Sequence, residues 1–319
     1  MKVLFVIDKV EYKYFEFNDL VTNFWMIKEF AKYDDVYITT INSLSLKDGE
    51  VFASCNKVKI QEENIVFEKQ FLKFAVDDFD LVFFRPDPPV DNNYINATYI
   101  FDFVKKAKVV NSPFAIRSFN EKLHSLIFKE FMPLSIVSSS LPEIEEFLSE
   151  QEEIILKPLD KCFGAGVFYL RKGDKNTRSI INTVTSNQTS FVMVQKYLSG
   201  VQKGDKRVLT LGDNVLDFCI VKRSTQDDFK FNTHSMDYIS KGELSLEEKR
   251  NFSIVAQKLN SMGIVMAGLD VIDGKIIEIN VTSPCYFIKE INHFYGIELE
   301  KLMLSFFRES SCYKVKNVV

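Results

Sequence analysis

The sequence contains no run of eighteen apolar residues, no Cys-x-x-Cys pair and only three histidines in 319 residues. The first absence leaves nothing able to cross a bilayer as a helix. The amino-terminal MKVLFVID offers one lysine and a five-residue apolar run before Asp8, too short for a secretory signal core. Five cysteines, Cys55, Cys162, Cys219, Cys285 and Cys312, are an odd number without paired spacing. This argues against a disulfide framework or a thiolate zinc site and places the chain in a reducing cytoplasm. His124, His234 and His293 lack the spacing of a zinc hydrolase, and no G-x-S-x-G elbow occurs. Charge of neither sign dominates: 40 Lys and Arg stand against 44 Asp and Glu, a net charge of −4, so the whole surface attracts neither nucleic acid nor membrane lipid. Glycine occurs only 12 times, so each one is a candidate for a demanding backbone position.

What is present is an ordinary soluble composition, 46% hydrophobic and 26% charged, with 30 phenylalanines to build the cores. At roughly 150 residues per domain the length suits about two domains. Val3 to Ile7 reads as a strand buried on both faces, followed by a helix over Asp19 to Lys32 with Leu20, Phe24, Ile27 and Ala31 on one side. Strands at Val36–Ile41, Leu81–Phe84 and Lys108–Val110 and a helix at Ile95–Lys105 complete an open α/β unit. A helix is expected from Ser118 through FNEKLHSLIFKEF. Residues 133–198 then read strand, helix, strand, loop, strand, helix, strand, a compact α+β unit. The last third shows hairpin signals at Gly212-Asp213-Asn214 and Asp273-Gly274 and a helix over Leu246–Met262 capped by Gly263. Ser224 to Glu243 lacks sustained periodicity and is taken as a loop forming a lid.

Glu278 and Asn280 lie two apart on an expected strand, so both side chains leave one face. Two oxygen-bearing groups there suit Mg²⁺ better than a core. Whether Asp270 joins them depends on the turn. A two-residue Asp273-Gly274 turn would pair Asp270 with Ile277, whereas a three-residue loop with Gly274 left-handed pairs it with Glu278; the latter is adopted here. Lys157 interrupts the apolar strand IILKPLD, where a buried ammonium requires an anion such as phosphate. Lys122 in FNEKL reads by itself as a solvated helix lysine. LDKCFGAGVF, with Gly164 and Gly166, is either a plain hairpin or a loop bringing backbone N–H groups to phosphate. Asp205 and Arg207 in GDKRV suit metal and phosphate or a surface ion pair.

Taken in order, RPDPPVD (85–91), NATYI (96–100), FNEKL (119–123), ILKPLD (155–160), GDKRV (204–208), GLDVI (268–272) and EINVTSP (278–284) resemble the prokaryotic glutathione synthetases of the ATP-grasp superfamily. The resemblance implies an ATP-grasp fold, mixing α/β and α+β units. Its parts would be an N-terminal open α/β domain at 1–117, a small central lid domain at 118–200 and a C-terminal antiparallel-sheet domain at 201–319. It further implies a carboxylate–amine ligase joining γ-glutamylcysteine to glycine through an acyl phosphate, with ATP and two Mg²⁺ ions, Mn²⁺ being the alternative metal. Lys122, Lys157 and Gly164 would then meet the phosphates, and the run Gln195, Lys196, Tyr197 and Leu198 would hold adenine through its backbone. Asp270, Glu278 and Asn280 would hold the metals. Asp205 and Arg207 would stand on the phosphate and substrate side, with Asn232 near the γ-phosphate. Small-molecule substrates and self-association into a homo-oligomer are implied as well.

The chain departs from the family pattern at several of these places. Lys161 and Phe163 stand where glycines are usual, and Lys222 and Lys230 stand for two substrate-gripping arginines, a mobile point charge replacing a bidentate fork. Phe231, Thr233, His234, Ser235, Met236 and Asp237 replace lid glycines, and Pro86 replaces a lysine. Cys285-Tyr286-Phe287-Ile288-Lys289 rebuilds the segment after NVTSP with one extra residue and bulkier walls. Two further readings follow from these departures: a ligase for another amine or carboxylate, and a nucleotide-binding homologue with impaired catalysis.

Overall fold

In the computed structural model, which describes residues 1–8, 17–62, 64–162, 164–224 and 236–309, three sheets follow one another along the chain. The first holds strands Lys2–Val6 (β1), Asp35–Thr39 (β2), Leu44–Lys47 (β3), Glu50–Gln61 (β4), Asn64–Ala75 (β5), Leu81–Phe84 (β6) and Lys108–Val110 (β7). Its order is β3-β4-β2-β1-β6-β7, with β5 also paired to β4, and β2, β1, β6 and β7 run parallel. Val3, Leu4, Phe5 and Val6 are all fully buried because the sheet is covered on both faces. Val3 and Phe5 face helix Thr22–Phe30 (α1), while Leu4 and Val6 face helix Asn92–Phe101 (α2).

A short helix Pro113–Ser118 (α3) leads to the central sheet of Ser135–Ser138 (β8), Glu153–Pro158 (β9), Phe168–Arg171 (β10) and Val192–Lys196 (β11). All pairings are antiparallel, in the order β10-β9-β11-β8. Helices Leu141–Gln151 (α4) and Thr177–Val184 (α5) cover one face through Ile144, Leu148 and Ile181. The third sheet, also antiparallel, holds Asp205–Leu211 (β12), Asn214–Lys222 (β13), Ile239–Lys241 (β14), Met266–Ile272 (β15) and Lys275–Asn280 (β16). Helix Leu246–Ser261 (α6) packs Phe252, Val255 and Leu259 beneath it. Ser245 and Glu248 form a reciprocal capping box at its start, and Gly263 follows its end at φ 87°. Helices Ile288–Tyr295 (α7) and Leu299–Glu309 (α8) return to the first sheet, where Phe307 stacks edge-on against Phe83 at 4.9 Å. Among the described residues no helix is long and apolar enough to cross a membrane, and Cys55, Cys162, Cys219 and Cys285 are free.

Three expectations need correction. Residues 44–75, not assigned from sequence, form β3 and the hairpin β4–β5, whose strands are twelve residues each. The available signal was Asp48-Gly49, both at positive φ, in a two-residue hairpin turn. The helix expected from Ser118 is broken: α3 ends there and a 3₁₀ segment spans His124–Phe131. Asn120 is the cause, since its Oδ1 accepts from the amides of Lys122 and Leu123 while its own N–H donates to His124 Nδ1. Ser224–Glu243 is not loop throughout, because Met236–Tyr238 is a 3₁₀ turn and β14 pairs with β13. Lys230, Asn232 and residues 231–235 fall outside the described residues.

The first and third sheets are joined through Asn111, 3% exposed. Its Nδ2 donates to the carbonyls of Met266 (2.7 Å) and Val281 (2.9 Å), and its Oδ1 accepts from Met266 N (2.8 Å). Asn111→Ala leaves these buried groups unpaired and is expected to lower unfolding stability by about 2–4 kcal/mol in urea titration. A change below about 0.5 kcal/mol would contradict this role.

Candidate active site

A cleft of about 530 Å³ opens between the central and third sheets and reaches the carboxyl end of β6 and the start of α1. Lys122, Lys157, Gly164, Gln195, Lys196 and Leu198 line it from one side, and Asp205, Arg207, Lys222, Asp270, Glu278 and Asn280 from the other. Tyr197 is the one described candidate outside this lining; its ring packs against Tyr169 at 4.9 Å.

The three oxygen donors share one face, by a different route from that expected. Ile272 pairs with Lys275, so Asp273-Gly274 is a two-residue turn, with both φ positive at 49° and 71°. A bulge at Ile277, between the Asp270–Glu278 and Val271–Ile276 pairs, then restores Asp270 opposite Glu278. The three-residue loop was the wrong cause of the right register.

Around Asp270 the charges interlock. Arg207 donates to it from Nε (2.8 Å) and Nη2 (3.2 Å), Lys222 Nζ lies 3.2 Å from Oδ1, and Asn280 Nδ2 donates to Oδ2 at 2.9 Å. Lys222 also pairs with Asp205 at 2.7 Å. Burial works to raise the Asp270 carboxyl, but Arg207 and Lys222 outweigh it and hold it well below the usual range. Asp205, raised by burial and then by the charge of Asp270, is the member of the pair that accepts a proton first.

The two lysines are both buried, each 6% exposed, so the solvated reading of Lys122 is overturned. Lys122 Nζ donates to Lys161 O at 2.6 Å and pairs with Glu278 at 3.2 Å. Burial pulls its ammonium down, and the carboxylates of Glu278 and Glu121 more than offset this. Among the described residues Lys157 donates to neutral acceptors, Gln195 Oε1 at 2.6 Å and Ile277 O at 3.3 Å, and burial lowers its pKa against the more distant charge of Glu278. A buried ammonium that faces a cleft and, among the described residues, forms no ion pair is a seat for an anion.

Sequence reasoning passed over Glu121 and Arg85. Glu121 accepts from the amides of Val281 (2.6 Å) and Thr282 (2.9 Å), fixing the Lys122 turn against the end of β16. Arg85, inside a motif already noted, is 2% exposed and lines the cleft. The segment after Pro284 buries Tyr286, whose amide donates to the Thr22 hydroxyl oxygen at 2.8 Å, and lays Phe287 over the Arg207 guanidinium at 5.7 Å.

The chain matches the family model described as prokaryotic glutathione synthetase, N-terminal domain, over residues 1–117, and the corresponding ATP-grasp domain model over 121–296. Glutathione synthetase from Nitrosomonas europaea is 33% identical over 291 residues, covering 89% of this chain and 91% of the relative. The chain belongs to the prokaryotic glutathione synthetase family. The Vibrio cholerae glutathione synthetase is 32% identical, with 84% and 86% covered. Among solved structures, D-cycloserine synthetase shares the fold at a TM-score of 0.68 and 12% identity over 97% of this chain and 99% of that one. D-alanyl-alanine synthetase A from Vibrio cholerae does so at 0.58 and 10% over 98% of each. As a family member the chain is an ATP-dependent, metal-dependent ligase of glutathione synthetase type that forms an amide bond.

Membership gives the arrangement around Lys222 its interest. Lys222, read from sequence as standing for a family arginine, is 5% exposed and wedged between Asp205 and Asp270. Lys222→Arg adds volume to a filled site and is expected to lower ligase turnover about tenfold or more rather than restore a family feature. Unchanged or higher turnover in a steady-state assay would show that the pocket has room for the fork.

Proposed function

We propose that the chain joins γ-glutamylcysteine to glycine, with ATP and two Mg²⁺ ions. The γ-phosphoryl group passes to the cysteinyl carboxylate oxygen, giving an acyl phosphate and ADP. The glycine amine then attacks the acyl carbon, the amine loses its proton, and phosphate leaves. No enzyme nucleophile is needed, so the protein acts by positioning and by charge.

In this reading Lys122 and Lys157 bind phosphate oxygens, the Gly164 loop approaches the same group, and the backbone of Gln195 to Leu198 holds adenine. Residues 118–200 form the lid over a C-terminal unit at 201–319, with 1–117 supplying the substrate side, and Lys230 and Asn232 act from the segment between β13 and β14. Glu278, Asp270 and the amide oxygen of Asn280 would hold the metal, whose charge would neutralise the phosphates. The donor set supports this: Asp270 pairs across the sheet with Glu278, and with Asn280 they offer the cleft two carboxylates and an amide, the oxygen ligands a hard cation takes. Asn280 already turns its Nδ2 toward Asp270 and Gly268 O, which leaves Oδ1 as its remaining donor. Arg207 and Lys222 hold the Asp270 carboxylate ionised and oriented.

The observation that carries the reading is the buried Lys157 ammonium, without an ion pair among the described residues, in one cleft with Glu278 and Asn280. The test is ADP release by the purified chain with γ-glutamylcysteine, glycine and Mg²⁺. Turnover dependent on both substrates supports it. Turnover with another amine but not glycine would favour the alternative acceptor that the bulk of Cys285 and Phe287 suggests.

A further inference from the structure

Arg207 sits in a slot whose two walls the ligation chemistry above leaves unexplained. Its Nε and Nη2 donate to Asp270, and its Nη1 donates to Cys285 O at 3.3 Å. Three of the five guanidinium N–H bonds are thereby engaged, and one on each Nη has no acceptor among the described residues. One wall of the slot is Gly268 on β15. Its backbone is not left-handed, so space rather than conformation calls for glycine: a Cβ there would lie 2.8 Å from Nη1 and 3.2 Å from Cδ of Arg207. The other wall is Phe287, which lines the cleft at the N-cap of α7. The guanidinium carbon lies over its ring, 5.7 Å from the centroid, within reach of a cation–π contact.

Phe287 holds this place against its own backbone preference. At φ 49° and ψ 45° it lies in the left-handed region, which glycine enters freely and a bulky L-residue avoids. The bonds around it over-determine the turn. Its amide donates to the Cys285 sulfur, the Tyr286 amide donates to the Thr22 hydroxyl oxygen, and the Tyr286 hydroxyl donates to Thr210 O. A strained residue kept in this way points to a use for its side chain, and the ring of Phe287 meets Arg207.

We infer that Gly268 and Phe287 are positioning residues for Arg207: the slot fixes the plane of the guanidinium, so that its remaining N–H bonds meet the phosphoryl group in one orientation. The inference rests on the ligase reading, which puts Arg207 on the phosphate side, and adds what holds it there. Bonds to Asp270 and Cys285 set the reach of the side chain but leave it able to rock about them. The close approach to Gly268 and the ring of Phe287 remove that freedom. Charge stabilisation during transfer depends on such preorganisation, so loosening the slot falls on turnover more than on the binding of ATP.

The test follows Arg207 by two readouts on the full chain: steady-state ADP release, and hydrogen exchange of the Arg207 Nε–H in ¹⁵N NMR spectra, assigned by its loss in Arg207→Lys. In Gly268→Ala only the end of a side chain has to give, so the fold is kept. Its kcat is expected to fall about 30-fold with the KM for ATP within about threefold, and the Nε–H exchange to quicken about tenfold. Phe287→Leu should do the same, whereas Phe287→Tyr, which keeps the ring, should stay within about threefold of wild type in both readouts. The double variant should be little slower than either single one, because both walls act through one side chain. Phe287→Gly should melt higher than Phe287→Ala, since glycine relieves the left-handed backbone. Wild-type turnover or wild-type exchange in both Gly268→Ala and Phe287→Leu, beside an impaired Arg207→Lys, overturns the inference and leaves the ligase reading standing. Quickened exchange in those two variants, with full ADP release by Arg207→Lys, supports the slot and contradicts the place of Arg207 in the ligase reading.

Discussion

Glu278→Ala is expected to reduce ADP release about 10³-fold at saturating substrates while leaving the melting temperature nearly unchanged. Glu278 is partly exposed, with its side chain at 22%, and its one ion pair among the described residues is with Lys122 at 3.2 Å, so little folding energy depends on it. In the proposed complex this exchange matters: Lys122 moves its charge to a phosphate oxygen and Glu278 gives its carboxylate to the metal. Removing the carboxylate leaves the negative charge of the phosphates poorly neutralised during transfer, a loss of several kcal/mol. Turnover within tenfold of wild type would remove Glu278 from the proposed role. Chelation of divalent metal should abolish turnover in the wild type by the same argument.

Lys157→Met should move stability and affinity in opposite directions. The ammonium is buried with two neutral acceptors, so an apolar side chain of similar length is expected to leave unfolding stability equal or higher by about 1 kcal/mol. The affinity for ATP should fall about 100-fold, the worth of one strong charge-assisted contact to phosphate. A structural lysine would behave otherwise, with stability lost and nucleotide affinity kept. Fluorescence titration with an ATP analogue, set beside urea denaturation, separates these outcomes.

Much of the cleft could be read before any coordinates because awkward residues stay awkward. A lysine inside IILKPLD and two oxygen donors on alternate positions of one strand are hard to place in a core, and here they meet in one cavity. Likewise Leu81–Phe84 and Lys108–Val110 are strands over the residues expected, because short apolar runs buried on both faces leave few alternatives. What escaped was decided elsewhere. The hairpin β4–β5 draws its register from pairing across residues 50–75, and its half-exposed alternation is a weaker signal than a buried run. The helix expected after Ser118 had the right periodicity but lost to side-chain bonds at Asn120. The bulge at Ile277 left no mark distinct from that of a longer loop. Arg85 was visible as a motif residue, yet only the fold shows it buried at the cleft wall, 2% exposed.

The central claim is that the two lysines and the three oxygen donors converge on one nucleotide tail. The most direct measurement is the anomalous scattering of Mn²⁺ in crystals of the chain grown with a non-hydrolysable ATP analogue. The account predicts a peak within about 2.2 Å of oxygens from Glu278 and Asn280, with the phosphates lying between it and Lys157. A nucleotide bound with its phosphates away from Lys157, or manganese coordinated without either of those side chains, would contradict it.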